Sequence, residues 1–258
     1  MRHNRLYTIT ILFVAHLLTL GTALRAQTAT ELAAQADEYY RQADYPAAIE
    51  TYEKVIADGQ CSPELFYNLG NAYYRNDQMA SAILNYERAL RLRPSMRDAE
   101  ENLALANSRI ADRITPLPQL FITRWWQSLT THISPAAWRV VFLVILALIG
   151  VAAIGFFLGR NLPLRKASLA FGIVAILLLL VTGTLLASST ARFNAHSDAI
   201  VMEPAISVKS SPEQQSTDKL ILHQGTKVHV LEQLTGWYKI RIADGTTGWC
   251  ETDAVERI

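Results

Sequence analysis

Two stretches of the chain, "VVFLVILALIGVAAIGFFLG" (140–159) and "ASLAFGIVAILLLLVTGTLLAS" (167–188), contain no Asp, Glu, Lys or Arg. A backbone in hydrocarbon must satisfy its own hydrogen bonds, so runs of this kind become helices. About 20 residues are enough to cross a hydrocarbon core of about 30 Å. A core helix of a water-soluble protein would carry a polar stripe, and neither run has one. The sequence therefore predicts a two-helix transmembrane hairpin, with helices over 139–159 and 167–191. The turn between them, 160–166, reads "RNLPLRK". Its Arg160, Arg165 and Lys166 place that turn in the cytoplasm by the excess of positive charge found on cytoplasmic loops.

The remaining charges divide by segment. Residues 29–114 carry nine basic and fourteen acidic residues, and residues 193–258 carry six and nine. Neither soluble piece has the basic patch that phosphate binding demands, which argues against a nucleic-acid partner. The N-terminus, "MRHNRLYTITILFVAHLLTLGTALRAQT", is basic, then apolar, then small. That is the order of a signal peptide over 1–26 with a cleavage point at Ala26–Gln27; an uncleaved anchor helix is the alternative. Either one exports the next segment of the chain. This agrees with the cytoplasmic turn and places both soluble pieces on the periplasmic side of a bacterial inner membrane.

Within 29–114 the chain repeats itself every 34 residues. Ala48 falls on Ala82, Tyr52 on Tyr86, Tyr39 and Tyr40 on Tyr73 and Tyr74, and Ala36 on Gly70. Phe66, Leu69-Gly70, Tyr73, Ala82, Tyr86 and Pro94 resemble the tetratricopeptide repeat, TPR, in length and pattern. The first copy is weaker, with Gln35 at the leucine position and no closing proline. Residues 97–114 read as a capping helix that ends the stack. Gly70 and Ala82 are read as close-packing positions between antiparallel helices, with Tyr73 and Tyr86 beside them.

The resemblance implies an α-helical solenoid whose first helices line a concave groove for a partner segment. Here that groove is formed by Asp37, Tyr40 and Arg41 in the first repeat and by Glu64, Tyr67, Asn71, Tyr74 and Arg75 in the second. Asn71 resembles the asparagine that some such grooves use to hold a peptide carboxylate. The flanking lysines of that clamp are absent. An acidic, tyrosine-rich groove favours a basic or apolar partner; the same residues also suit a solvated face with hydrogen bonds inside the stack.

The linker 115–138, "TPLPQLFITRWWQSLTTHISPAAW", brings Trp125, Trp126 and Trp138 close to the first apolar run. Tryptophan prefers the headgroup level, so the linker reads as an amphipathic segment at the membrane interface. A partner-docking helix is the alternative.

Residues 193–258 change to a period of two. Tyr238, Ile240 and Ile242 form an inward row with Lys239 and Arg241 outward, Val228 and Val230 face the core, and Asp244-Gly245 marks a hairpin. Gly225-Thr226, Gly236-Trp237-Tyr238, Asp244-Gly245 and Gly248-Trp249 resemble a bacterial SH3 (SH3b) domain, which implies an all-β, SH3-like barrel. Such domains bind cell-wall peptide or proteins, which points to Trp237, Tyr238 and Trp249 as ligand-binding aromatics or as closing core residues.

No nucleophile elbow, phosphate loop or metal-ligand spacing is present, so no enzymatic activity, cofactor or metal is expected. Cys61 and Cys250 lie in different segments and read as separate structural thiols, although an exported protein could oxidise them. The whole order (leader, TPR stack, aromatic linker, hairpin, SH3b domain) resembles the BatE-type proteins of the Bat aerotolerance operon. That resemblance implies a membrane-anchored, non-enzymatic scaffold acting with Bat proteins that carry von Willebrand factor A-type domains. Its setting would be an envelope complex linked to oxidative-stress resistance. A peptidoglycan tether through the SH3b domain is the second expectation, and a redox sensor built on the two cysteines the third.

Overall fold

The computed structural model describes residues 29–118, 120–194 and 197–258; the expected signal peptide, 1–26, lies outside them. Five helices form the N-terminal stack: α1 (29–41), α2 (Tyr45–Ala57), α3 (Pro63–Arg75), α4 (Met79–Leu92) and α5 (Arg97–Asn107). Local chemistry fixes their starts. Asp44 caps α2 by accepting from the Ala47 N–H, and Ser62 caps α3 by accepting from that of Leu65, each followed by a proline in the first turn. The turns after α1 and α3 use Ala43 and Asp77, 34 positions apart, at φ 60° and 62°.

Alanines close the helix pairs, since Ala36, Ala48, Ala72, Ala82, Ala89, Ala99 and Ala106 are all fully buried. At Gly70 the approach is closer still. A Cβ there would stand 2.7 Å from Cε1 and 2.8 Å from Cδ1 of the buried Tyr86 ring. Gly70 is thus a packing residue, as its place in the repeat predicts.

Beyond the repeats, α6 (Phe121–His132) precedes two antiparallel helices, α7 (Pro135–Leu158) and α8 (Leu162–Asn194). Both are long and apolar enough to cross a membrane. Two glycines of α8 face α7, Gly172 against Ala152 and Gly183 against Phe142.

The C-terminal segment is all antiparallel β: β1 (Asp198–Val201), β2 (Ala205–Lys209), β3 (Asp218–His223), β4 (Lys227–Leu234), β5 (Trp237–Arg241), β6 (Thr247–Glu251) and β7 (Val255–Arg257). Val228, Val230, Ile240 and Ile242 are buried in one core with Val208, Leu222 and Cys250, and Asp244-Gly245 turns the β5–β6 hairpin with Gly245 at φ 90°. The expected closed barrel is corrected. The sheet is open, in the order β3-β2-β6-β5-β4-β1-β7, so β3 and β7 are edges that do not pair with each other. Other parts of the chain pack around the open sheet. The carbonyls of Arg257 and Ile258, at and just past the end of β7, accept from Arg88 (3.0 Å) and Arg91 of α4. Residues 110–117 cross from the β3–β4 turn to the β5–β6 turn: Ile114 packs on the core of the sheet, and the Leu117 N–H donates to Ala243 (3.2 Å).

The repeats and the sheet therefore touch directly. Ile83 and Ala106 share a buried cluster with Ile200 and Ile258, flanked by Ile110 and Met202. Gly225, at φ +88°, lies so close that a Cβ would stand 2.6 Å from Ile110. Asp112 fastens the same turn. Its Oδ2 accepts from the His223 N–H (2.7 Å) and the Thr226 hydroxyl (2.6 Å), and its Oδ1 lies 2.7 Å from His223 Nδ1. Lys227 reaches Glu87 (2.8 Å) and Asp198 (3.3 Å), and Arg88 reaches Glu256 (2.8 Å). Burial alone would raise the Asp112 and Asp198 carboxyls. These hydrogen bonds and nearby cations instead hold both below the usual carboxylate range.

Candidate functional site: the concave face of the repeats

The 34-residue period reappears as a ladder of polar contacts. In the first repeat Tyr52 donates its hydroxyl to Asp37, which also accepts from Asn68 (3.2 Å). One period on, Tyr86 donates to Asn71 (2.8 Å), which also accepts from Asn102 (2.9 Å). Burial pushes both phenols above their ordinary range, aided at Tyr52 by the adjacent Asp37 carboxylate, so both remain hydrogen-bond donors. The ladder ties each second helix to the first helices on either side, and beside it lies a cavity of about 220 Å³ lined by Asp37, Tyr40, Arg41, Tyr52, Asn68 and Asn71.

Four residues expected in the groove thus meet at one cavity: Asp37, Tyr40, Arg41 and Asn71. The other four lie elsewhere. Glu64 is paired with Arg93 at 2.5 Å. Tyr67 packs beside Tyr86 and accepts from Asn102 (3.3 Å). Arg75 stacks 5.1 Å over the ring of Tyr45, and Tyr74 lies under Arg109 at 5.3 Å. The cavity lining carries one carboxylate, Asp37, and one guanidinium, Arg41, which is itself paired with Glu38 at 2.6 Å. It is a polar recess of mixed donors and acceptors rather than an acidic one. Asn68, Asn102 and Arg109 were missed from sequence. Asn68 and Asn102 stand one period apart, as do Arg41, Arg75 and Arg109, so the period that revealed the repeats was also the signal for them.

On the sheet, the three expected aromatics split. Trp237 and Trp249 share the outer face, where Lys239 Nζ lies 5.6 Å from the Trp249 ring. Tyr238 faces the core side, stacked under Arg257 at 4.8 Å, and lines a shallow cleft with Gln233, Leu234 and Thr252.

Residues 33–97 and 67–107 match the tetratricopeptide repeat. The two matched windows start 34 residues apart, the period of the polar ladder. Residues 204–256 match the bacterial SH3 domain. A search of curated proteins returned no match. The TPR repeats and the SH3 sheet support an interaction or tethering role.

The cysteines stand apart. Cys61 is exposed in the turn before α3, and Cys250 is buried in the core of the SH3 sheet, where burial pushes its thiol up to about 12.

Proposed function

We propose that this chain is a membrane-anchored, non-enzymatic scaffold of a bacterial envelope complex, with its TPR cavity holding an extended segment of a partner protein. The observation that carries this reading is the cavity itself. Its lining offers the acceptor Asp37, the amides of Asn68 and Asn71 and the ring of Tyr40, a set that fits a polypeptide backbone and one side chain. The two apolar helices anchor the chain as a hairpin with Arg160, Arg165 and Lys166 in the cytoplasm. Direct contact between the TPR and SH3 units supports a common side for both, and the basic turn argues that this side is the periplasm. The likeness to BatE-type proteins extends the reading to oxidative-stress resistance and to Bat partners carrying von Willebrand factor A-type domains.

The test replaces Tyr40 and Arg41 together by Tyr40→Ala and Arg41→Glu. Neither side chain belongs to the Tyr–Asp–Asn ladder, so the stack should stay folded while co-purification of envelope partners is lost. Unchanged capture refutes the reading. Alkaline phosphatase fused after Lys166 should be inactive, and after Ile258 active.

A peptidoglycan tether is the second reading, favoured by the outward pair Trp237 and Trp249 beside Lys239. Under it, detergent-solubilised full-length protein pellets with purified sacculi and the double variant W237A/W249A does not.

A further inference from the structure

Helix α6 is apolar on two sides. Trp126, Leu129, Thr130 and Ile133 turn inward against the end of the α7–α8 hairpin. Trp138, the first tryptophan of α7, is buried at this corner and donates its Nε1–H to the Leu129 carbonyl (3.3 Å), so it locks α6 in place. The neighbouring arc is left bare: Phe121, Ile122 and Trp125 are 78%, 60% and 61% exposed. At 100° per residue, Thr123, Ser128 and Thr131 fall on the remaining, polar arc.

Two observations set the height of this helix. The charge-free run of α8, 167–188, spans about 33 Å at 1.5 Å per residue, close to the thickness of a hydrocarbon core. Ser189, the next residue, donates its hydroxyl to the Ile133 carbonyl (3.4 Å) at the end of α6. The C-terminal end of α6 therefore joins the hairpin at the level where the charge-free run of α8 ends, and α6 carries its bare apolar arc from that level. No acidic residue occurs between Asp112 and Asp198 to oppose contact with anionic headgroups.

We propose that Phe121, Ile122 and Trp125 insert into the lipid leaflet on the TPR side, with α6 lying along the membrane surface. This rests on the membrane reading of α7 and α8. The geometry gives the arrangement a purpose: α6 begins only four residues after Leu117, which is held to the SH3 sheet, so an inserted α6 keeps that sheet and the TPR cavity close to the lipid.

The test uses the full chain in liposomes of mixed zwitterionic and anionic lipid, with Cys61→Ser and Cys250→Val as background. Spin labels at Phe121→Cys and Trp125→Cys should collide with oxygen but lose collisions with a water-soluble nickel chelate, while Thr131→Cys keeps them. Nickel access at positions 121 and 125 overturns the proposal, as does exclusion of both reagents, which marks a protein cover such as a second copy. A label at Leu177→Cys separates the two levels. Lipid exposure there with water exposure at Phe121 overturns only the α6 proposal, and water exposure at Leu177 overturns the membrane reading itself.

Discussion

Gly70 offers the sharpest quantitative test of the packing. In an ordinary helix interior, Gly→Ala stabilises by about 1 kcal/mol. Here the new methyl would meet the Tyr86 ring at 2.7 Å. Tyr86 is buried and its hydroxyl is held by Asn71 at 2.8 Å, so the ring cannot swing away without breaking that bond. Overpacking costs about 1–3 kcal/mol and the hydrogen bond about 1 kcal/mol more. Gly70→Ala should therefore destabilise the second repeat by about 1–3 kcal/mol, which corresponds to a factor of about 5–150 in the local opening equilibrium. The equivalent position in the first repeat already holds Ala36, fully buried in the same helix-pair geometry. Ala36→Gly should also destabilise, by about 2 kcal/mol, from about 1 kcal/mol of helix propensity and about 0.8 kcal/mol of lost methyl burial. Hydrogen exchange on the detergent-purified full chain reads both, because amides of α1–α4 exchange through local opening. Faster exchange in α3 and α4 for Gly70→Ala, and in α1 and α2 for Ala36→Gly, is expected. Slower exchange in Gly70→Ala would mean that helix propensity outweighs the contact, and the packing account would be wrong.

Three further outcomes are expected at the seam, the ladder and the cysteines. Asn71→Ala leaves the Tyr86 hydroxyl without its acceptor and the Asn102 amide with Tyr67 alone, at a cost of about 1–3 kcal/mol, and should speed exchange in α4 and α5 together. Acid should loosen the seam between repeats and sheet. Asp112 and Asp198 have folded pKa values below the unfolded carboxylate value, so their contribution is present above about pH 4 and is lost as pH falls through the folded values. Exchange of the 110–117 and 223–227 amides against pH checks this, and Asp112→Asn should remove part of the dependence; a pH-independent seam would contradict it. A maleimide at neutral pH should label Cys61 alone in the native protein and Cys250 only after unfolding, because that thiol is buried and pushed up to about 12. Two equal labels in the native protein would contradict the burial of Cys250.

What could be read from the sequence was whatever repeats or alternates. The period of 34 placed the helices and identified Gly70 as packing, the Asp244-Gly245 turn marked its hairpin, and the charge-free runs marked α7 and α8. The groove was located to a face but not to a cavity, since side-chain type does not reveal which polar groups bind one another. Glu64 went to Arg93, and Asn68 joined Asp37. The seam left no periodic trace at all. Asp112 and His223 are 111 positions apart, and the pairing depends on where an intervening hairpin returns the chain. The open order of the sheet likewise depends on which distant strands pair, and no local pattern records that.

The same seam imposes an order of assembly. The repeats end before α7 begins, so as the chain emerges they can fold on local contacts while the remainder is still being made. Ile83, Ile110 and Asp112 are then in place with nothing to cover them. Their partners Gly225, Thr226 and Ile258 arrive only after both apolar helices have been made. Closing so long a loop is slow compared with folding a helix pair. A newly made chain thus spends an interval with a sticky, half-built joint exposed, and that interval is when it would be most open to chaperones, to aggregation, or to docking the SH3 sheet of one chain onto the repeats of another.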